Sequence, residues 1–143
     1  MKDQVNAVIN STRAARAVLR PVLNSVLPLK VKLGVYKTYI RPRLTYAAPA
    51  WYALTNQTRK NQLEAQQSIS LRVITKAPRY VRNSTIQKGL QMESLDAHIR
   101  HLTRRLLKRV DESTLPHIQE LAPYHARPPD SKQFPRDLIT DPQ

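Results

Sequence analysis

Ser94-Leu95-Asp96-Ala97-His98-Ile99-Arg100-His101-Leu102-Thr103-Arg104-Arg105-Leu106-Leu107-Lys108-Arg109-Val110-Asp111-Glu112 is the stretch whose reading decides the fold. Ser94 has the side chain of a helix N-cap, and Asp96 falls in the first turn, where the helix dipole favours negative charge. Leu95, Ile99, Leu102, Leu106 and Val110 recur at three- and four-residue steps, the spacing of one helix face. At 1.5 Å per residue the helix runs roughly 28 Å. Arg100, Arg104 and Lys108 repeat every four residues on the opposite side, flanked by Arg105 and Arg109. One side is built to pack and the other to stay in water or meet an anion.

Working outward, the same periodicity returns three more times. Segment 57–75 carries Leu63, Ile69, Leu71, Val73 and Ile74 and stops at Pro78, although its β-branched end weakens helix formation. A short helix over 84–90 has Asn83 or Ser84 as its cap. A segment starting at Pro28, a residue suited to a first helical turn, carries Leu29, Leu33, Tyr36, Ile40 and Leu44. Pro42 should kink it and Pro49 should end it before Trp51, while Val35–Ile40 also alternates like a strand. Segment 4–24 recurs through Val5, Val8, Thr12, Ala15, Leu19 and Val22, with Ile9 and Leu23 widening the stripe and Arg13, Arg16 and Arg20 on a neighbouring face. Pro21 should kink or end that helix. Tyr46 and Trp51 read as core. The expected fold is all-α: a small helical bundle with an irregular, Pro-containing middle and a disordered C-terminal tail.

Charge divides the chain in the same way. Residues 1–57 hold nine Lys and Arg against one acid, residues 58–112 twelve against five, and residues 113–143 three against four. Six of the eleven prolines fall in that last stretch. A Pro-rich, nearly neutral segment with few large apolar residues cannot bury enough surface to offset its ordering entropy. The expected division is a helical domain over 1–121 and an extended or disordered tail over 122–143. The net charge of +14 therefore belongs to the helical part and points to a polyanionic partner, RNA or DNA.

Composition excludes much chemistry. With no Cys there is no thiolate metal site, disulfide framework or Cys nucleophile. Two glycines, Gly34 and Gly89, cannot form a phosphate-cradling loop. The only adjacent acids, Asp111 and Glu112, sit at a helix end, and Glu93 and Asp96 suit the N-terminal end of the same helix. Two-metal phosphoryl transfer needs several converging carboxylates, so no catalytic residue is expected. His98 and His101 lie three apart but lack a third ligand, so neither a metal nor any other cofactor is expected. The longest uncharged run, Leu44–Thr58, is too short and too polar to cross a bilayer. Nothing at the start reads as a signal peptide, which predicts a nuclear or cytoplasmic chain rather than a secreted one.

Two sets of residues suit nucleic-acid contact. Arg100, Arg104, Arg105, Lys108 and Arg109 form one cationic surface; its bland reading is a solvated helix face. The second is the Pro-bounded loop Lys76-Ala77-Pro78-Arg79-Tyr80-Val81-Arg82-Asn83. There Arg79 and Arg82 suit phosphates and Tyr80 suits base stacking. The alternative is that Tyr80 and Val81 anchor the loop on the bundle while the two arginines stay in water.

Two stretches carry more than composition. The first is Tyr36-Lys37-Thr38-Tyr39-Ile40-Arg41-Pro42-Arg43-Leu44-Thr45-Tyr46-Ala47-Ala48-Pro49-Ala50-Trp51. The second joins Leu63, Gln67, Leu71-Arg72 and Ile74 to Ala77-Pro78-Arg79-Tyr80-Val81-Arg82-Asn83 and Ile86. In order and interval they resemble the region after the polymerase palm in reverse transcriptases of jockey-like non-LTR retrotransposons, from about Lys30 to Leu95. On that resemblance Tyr36, Pro42, Tyr46, Pro49, Trp51, Leu71, Arg72, Pro78 and Asn83 are structural motif residues. Ala47 stands where the pattern has glycine, Ser68-Ile69 where it has Asn-Lys, and Gln87 where it has histidine.

The family's palm carries paired aspartates, and this sequence contains no Asp-Asp. The resemblance thus implies polymerase parentage, a thumb-like grip on a template–primer duplex, and the parent's palm and fingers as a further partner. It does not imply that this chain polymerises, and no enzyme activity is expected of it. A protein-interaction module and a relic reading frame without selected function stay open as other readings.

Overall fold

The computed structural model describes residues 2–119. Helix α1 spans Lys2–Leu23 and α2 Leu29–Val35, and α2 runs into a π turn at Tyr36–Ile40. Next come α3 at Arg41–Thr45, α4 at Ala48–Trp51, and a 3₁₀ turn at Tyr52–Leu54. Then follow α5 at Gln57–Thr75, α6 at Asn83–Gly89, α7 at Leu95–Glu112 and α8 at Pro116–Gln119. Among the described residues no strand forms, and Val35–Ile40 is helical. The architecture is the all-α bundle expected from periodicity. The tail expected over 122–143 lies outside the described residues.

α5 is the central rod, packed against α1, α2, α6 and α7. Asn56 caps it by accepting from the Arg59 amide at 3.0 Å. Two apolar clusters form along it. Leu63 joins Val5, Val8, Leu44, Trp51, Tyr52 and Ile99 at one end. Leu71 and Ile74 join Ala15, Leu23, Tyr36, Ile40 and Ile86 at the other. Burying one such aliphatic side chain contributes about 1.5–3 kcal/mol.

Between the clusters lies a polar layer. Gln66, Gln67, Ser70 and Thr12 are all buried. Gln67 accepts from the Tyr36 hydroxyl at 2.8 Å and donates to the Glu93 carbonyl at 3.0 Å. Glu64 accepts from Gln87 at 3.0 Å and from the Leu95 amide at 2.9 Å, tying α5 to α6 and to the start of α7. Burial holds the Tyr36 phenol far above its ordinary range, so it stays a donor.

Not every proline acts as expected. Pro21 does not end α1, which continues to Leu23. The ring removes one bond in the last turn, the Asn24 amide resumes the ladder to Arg20 at 2.9 Å, and the fully buried Leu23 holds the end in the core. Pro28 is the N-cap rather than the first helical residue. Pro42 comes just after the π turn, where the Arg41 amide reaches back five residues to Tyr36. That wider turn relieves the collision a proline ring makes with the turn before it.

Pro49 starts a helix instead of ending one: it lies in the first turn of α4, where its missing N–H costs nothing. The break belongs to Ala47, which is left-handed at φ 52°. Tyr46, expected in the core, is 76% exposed. Its carbonyl accepts from the Trp51 indole at 2.9 Å, and the indole takes the core position. Asn83 is the first residue of α6 and Arg82 its cap position.

α7 is also turned from its expected face. Leu95, Ile99, Thr103, Leu107 and Val110 are buried, whereas Leu106 is exposed and Leu102 half-buried. Thr103 can take the core place because its hydroxyl donates to the Ile99 carbonyl at 2.8 Å. Ile69, expected on the apolar line of α5, is exposed as well.

Candidate nucleic-acid interface

Ser94 caps α7 by accepting from the Ala97 amide at 3.2 Å, and the buried Leu95, Ile99, Thr103, Leu107 and Val110 set which way its cations face. Arg104, Arg105, Lys108 and Arg109 are exposed. Arg100 is not equivalent to them. It is half-buried and its Nε donates to Asp96 at 2.7 Å, while the other Asp96 oxygen accepts from the Tyr52 hydroxyl at 2.8 Å.

Burial pushes the Asp96 carboxyl up, but the hydrogen bonds from Arg100 and Tyr52 and the nearby charges of Arg100 and Lys60 outweigh it and hold it low. The Tyr52 phenol is raised by burial and by that carboxylate. Lys60 lies 4.7 Å from the centre of the Tyr52 ring. Asp96, kept charged by Arg100, therefore ties the start of α7 to the 3₁₀ turn through Tyr52, and four cations remain facing outward. Of these, Lys108 makes a loose 3.9 Å contact with Glu112, both exposed.

The second expected element is the loop after α5. Lys76 takes a left-handed conformation at φ 54° and ends the helix. Arg72 then clamps the loop: it donates to the Pro78 carbonyl at 3.1 Å, to the Asn83 side chain at 3.0 Å and to the Val81 carbonyl. A planar guanidinium satisfies three acceptors in one plane, which a lysine cannot do. Ala77 and Val81 pack on the core cluster that holds Leu71 and Ile74. Arg79 and Arg82 are exposed, and Tyr80 is 87% exposed. The anchor is Val81, and the phenol ring stands in solvent on a braced loop.

Of the motif residues, Leu71, Arg72, Pro78 and Asn83 come together at this loop. Tyr36 and Trp51 lie in the core, Pro42 and Pro49 start short helices, and Tyr46 shapes the turn through its backbone.

A third concentration of cations was visible only in part from the sequence. Between α1 and α5 run two adjoining recesses of about 460 and 340 Å³. Arg13 lines both, with Arg59, Asn10 and Gln62 in the first and Arg16 and Arg20 in the second. The repeat of Arg13, Arg16 and Arg20 is legible in the sequence; Arg59 and the groove that joins them are not.

Over 120 residues, 81% of the chain, it is 30% identical to the probable RNA-directed DNA polymerase from transposon X-element of Drosophila melanogaster. Over 94 residues, 64% of the chain, it is 29% identical to the corresponding protein from transposon BS of the same organism. Over 85 residues, 59% of the chain, it is 31% identical to the RNA-directed DNA polymerase from mobile element jockey of Drosophila funebris. The chain is similar to jockey-type RNA-directed DNA polymerases. It spans only about a tenth of these jockey-type relatives, with the matches covering 10%, 13% and 9% of their lengths. No protein-family profile matches the chain, and no solved structure does. Among the described residues no helix is long and apolar enough to cross a membrane.

Proposed function

We propose that this chain is a thumb-side piece of a jockey-like reverse transcriptase that binds RNA or DNA through phosphates and carries no polymerase chemistry of its own. Such a piece works in the nucleus or cytoplasm, where a template and primer are found. The observation that carries the reading is the outer face of α7. Arg104, Arg105, Lys108 and Arg109 are all exposed there, and the acids on that stretch, Asp111 and Glu112, stand only at its C-terminal end. A solvated helix without a partner intersperses both signs. The braced loop adds Arg79, Arg82 and an exposed Tyr80, a pairing of phosphate contact with base stacking.

The test is fluorescence anisotropy with labelled oligonucleotides over a salt series. Four neutralised phosphates make log K fall against log salt with a slope of about −3 to −3.5. The triple variant Arg104→Ala, Arg105→Ala, Lys108→Ala should weaken all sequences alike and flatten the slope by about 2 to 3. A salt-independent affinity, or a loss confined to one sequence, would overturn the reading. Primer extension by the full chain should yield no product.

One observation favours a protein partner as well. Tyr39, Tyr46 and Pro42 of the 36–46 stretch and Ala7 and Val8 of α1 line a recess of about 530 Å³. Tyr39 and Tyr46 are 64% and 76% exposed. In a chain spanning a tenth of its relatives, that recess suits contact with the palm or fingers of the parent polymerase. Sedimentation velocity should then show self-association that rises with concentration in the absence of nucleic acid.

A further inference from the structure

We infer that the α1–α5 groove is a separate site for one phosphodiester strand, on the side of α5 away from α7. The proposal rests on the phosphate-binding reading of this chain but uses none of the residues that carry it. Arg59 and Gln62 line α5 toward α1, whereas Lys60 and Glu64 line it toward Tyr52, Asp96 and Arg100 of the α7 side. The two cationic regions therefore flank one rod instead of merging.

Charge is the first argument. Arg13, Arg16 and Arg20 stand at three- and four-residue spacing on one helix flank, where like charges repel by a few tenths of a kcal/mol per pair. Asp3, in the first turn, is the only acid on α1. No carboxylate lines either recess. Arg16 is half-buried and held by the Gln66 side chain, which accepts from it at 3.1 Å; burial, then the charge of Arg13, draws its guanidinium below the ordinary value. A polyanion lying in the groove relieves this repulsion.

Shape is the second argument. Packed helices have axes about 8–10 Å apart, so the trough between them admits a single backbone and not a duplex. Arg13 to Arg20 spans roughly 10 Å along α1, with Arg59 of α5 across from Arg13 at one end. The trough's amide side chains, Asn10 and Gln62, both donate and accept, which suits sugars and base edges. Val73 lines its far end, three residues before Lys76, where the Arg79–Tyr80–Arg82 loop begins. A strand in the groove runs toward the end of α5 from which that loop starts.

The experiment titrates the full chain with labelled single-stranded RNA, single-stranded DNA and a DNA duplex by anisotropy. The groove variant is Arg13→Ala, Arg20→Ala, Arg59→Ala; Arg16 is spared because it bonds Gln66. Expected is a loss of about tenfold or more for single strands and a slope flattened by about 2, with duplex binding nearly unchanged. Comparable loss on RNA and DNA supports backbone recognition, and loss on RNA alone supports added 2′-hydroxyl contact. The variant Arg13→Lys, Arg20→Lys, Arg59→Lys should restore most of the single-strand affinity, which separates charge from folding.

Two outcomes overturn the proposal. In one, the groove variant binds single strands like the parent chain while the α7 variant is weakened; the groove then fails and the α7 reading survives. In the other, neither variant changes anything, and both readings fall.

Discussion

Ala47 shows how much one backbone angle decides. At φ 52° it ends the run of helix through α3 and lets the chain re-enter at α4, so that Trp51 reaches the core. A left-handed residue with a Cβ costs about 1–2 kcal/mol, and glycine avoids most of that cost. The jockey-like pattern has glycine at this position. Ala47→Gly should therefore raise stability by about 1 kcal/mol, seen as a midpoint about 3 °C higher in a circular-dichroism melt. An unchanged or lower midpoint would mean the turn is held by its neighbours at no cost. The angle itself was not legible from periodicity, because alanine normally signals helix; only the resemblance marked the position.

At the level of elements, helices were readable where apolar spacing and a cap agreed. α7 falls where Ser94 and the repeating Leu and Ile residues put it, and α5 where its apolar spacing does, although its cap, Asn56, went unread. Faces were less readable than bounds. Thr103 and Gln67 are buried because each finds a partner, Thr103 within its own helix and Gln67 on Tyr36 and Glu93, and no hydrophobic pattern announces that. Arg100 read as surface because the pattern shows its four-residue spacing from Asp96 but not the Tyr52 hydroxyl that the same carboxylate accepts from.

α7 also carries a pH response. His98 Nδ1 lies 2.9 Å from Glu93, which as a carboxylate accepts, so the ring nitrogen donates. Burial lowers the His98 value, and repulsion from Arg41 and His101 adds to it, against the raising effect of Glu93. A depressed histidine makes the unfolded chain bind more protons below about pH 6.5. Stability should fall as pH drops through the range just below that value, then level off once His98 is charged in both states. Urea midpoints from pH 7.5 to 5 check this, and His98→Gln, which keeps a donor to Glu93, should flatten the decline. A midpoint that rises on acidification would reverse the assignment.

Across the whole molecule, the balance of charge sets opposite responses to salt in the free and bound states. Residues 2–119 carry 21 Lys and Arg against 6 Asp and Glu, in a fold with an α7 face on one side of α5 and an arginine groove on the other. Such a surplus destabilises the compact chain by self-repulsion, which salt screens as the Debye length shrinks from about 10 Å at 0.1 M to about 3 Å at 1 M. The free chain should thus melt at a higher temperature as sodium chloride rises from 50 to 500 mM. An oligonucleotide that binds the folded chain adds RT ln(1 + [L]/Kd), about 2.7 kcal/mol at a hundredfold excess over Kd, or about 8 °C here. Salt dismantles that contribution by weakening the complex. The melting temperature with oligonucleotide should therefore begin well above that of the free chain at 50 mM, decline with salt, and meet the rising free curve near 500 mM. Parallel curves would mean that binding is not electrostatic. A free chain that loses stability with salt would mean that its cations are compensated within the fold.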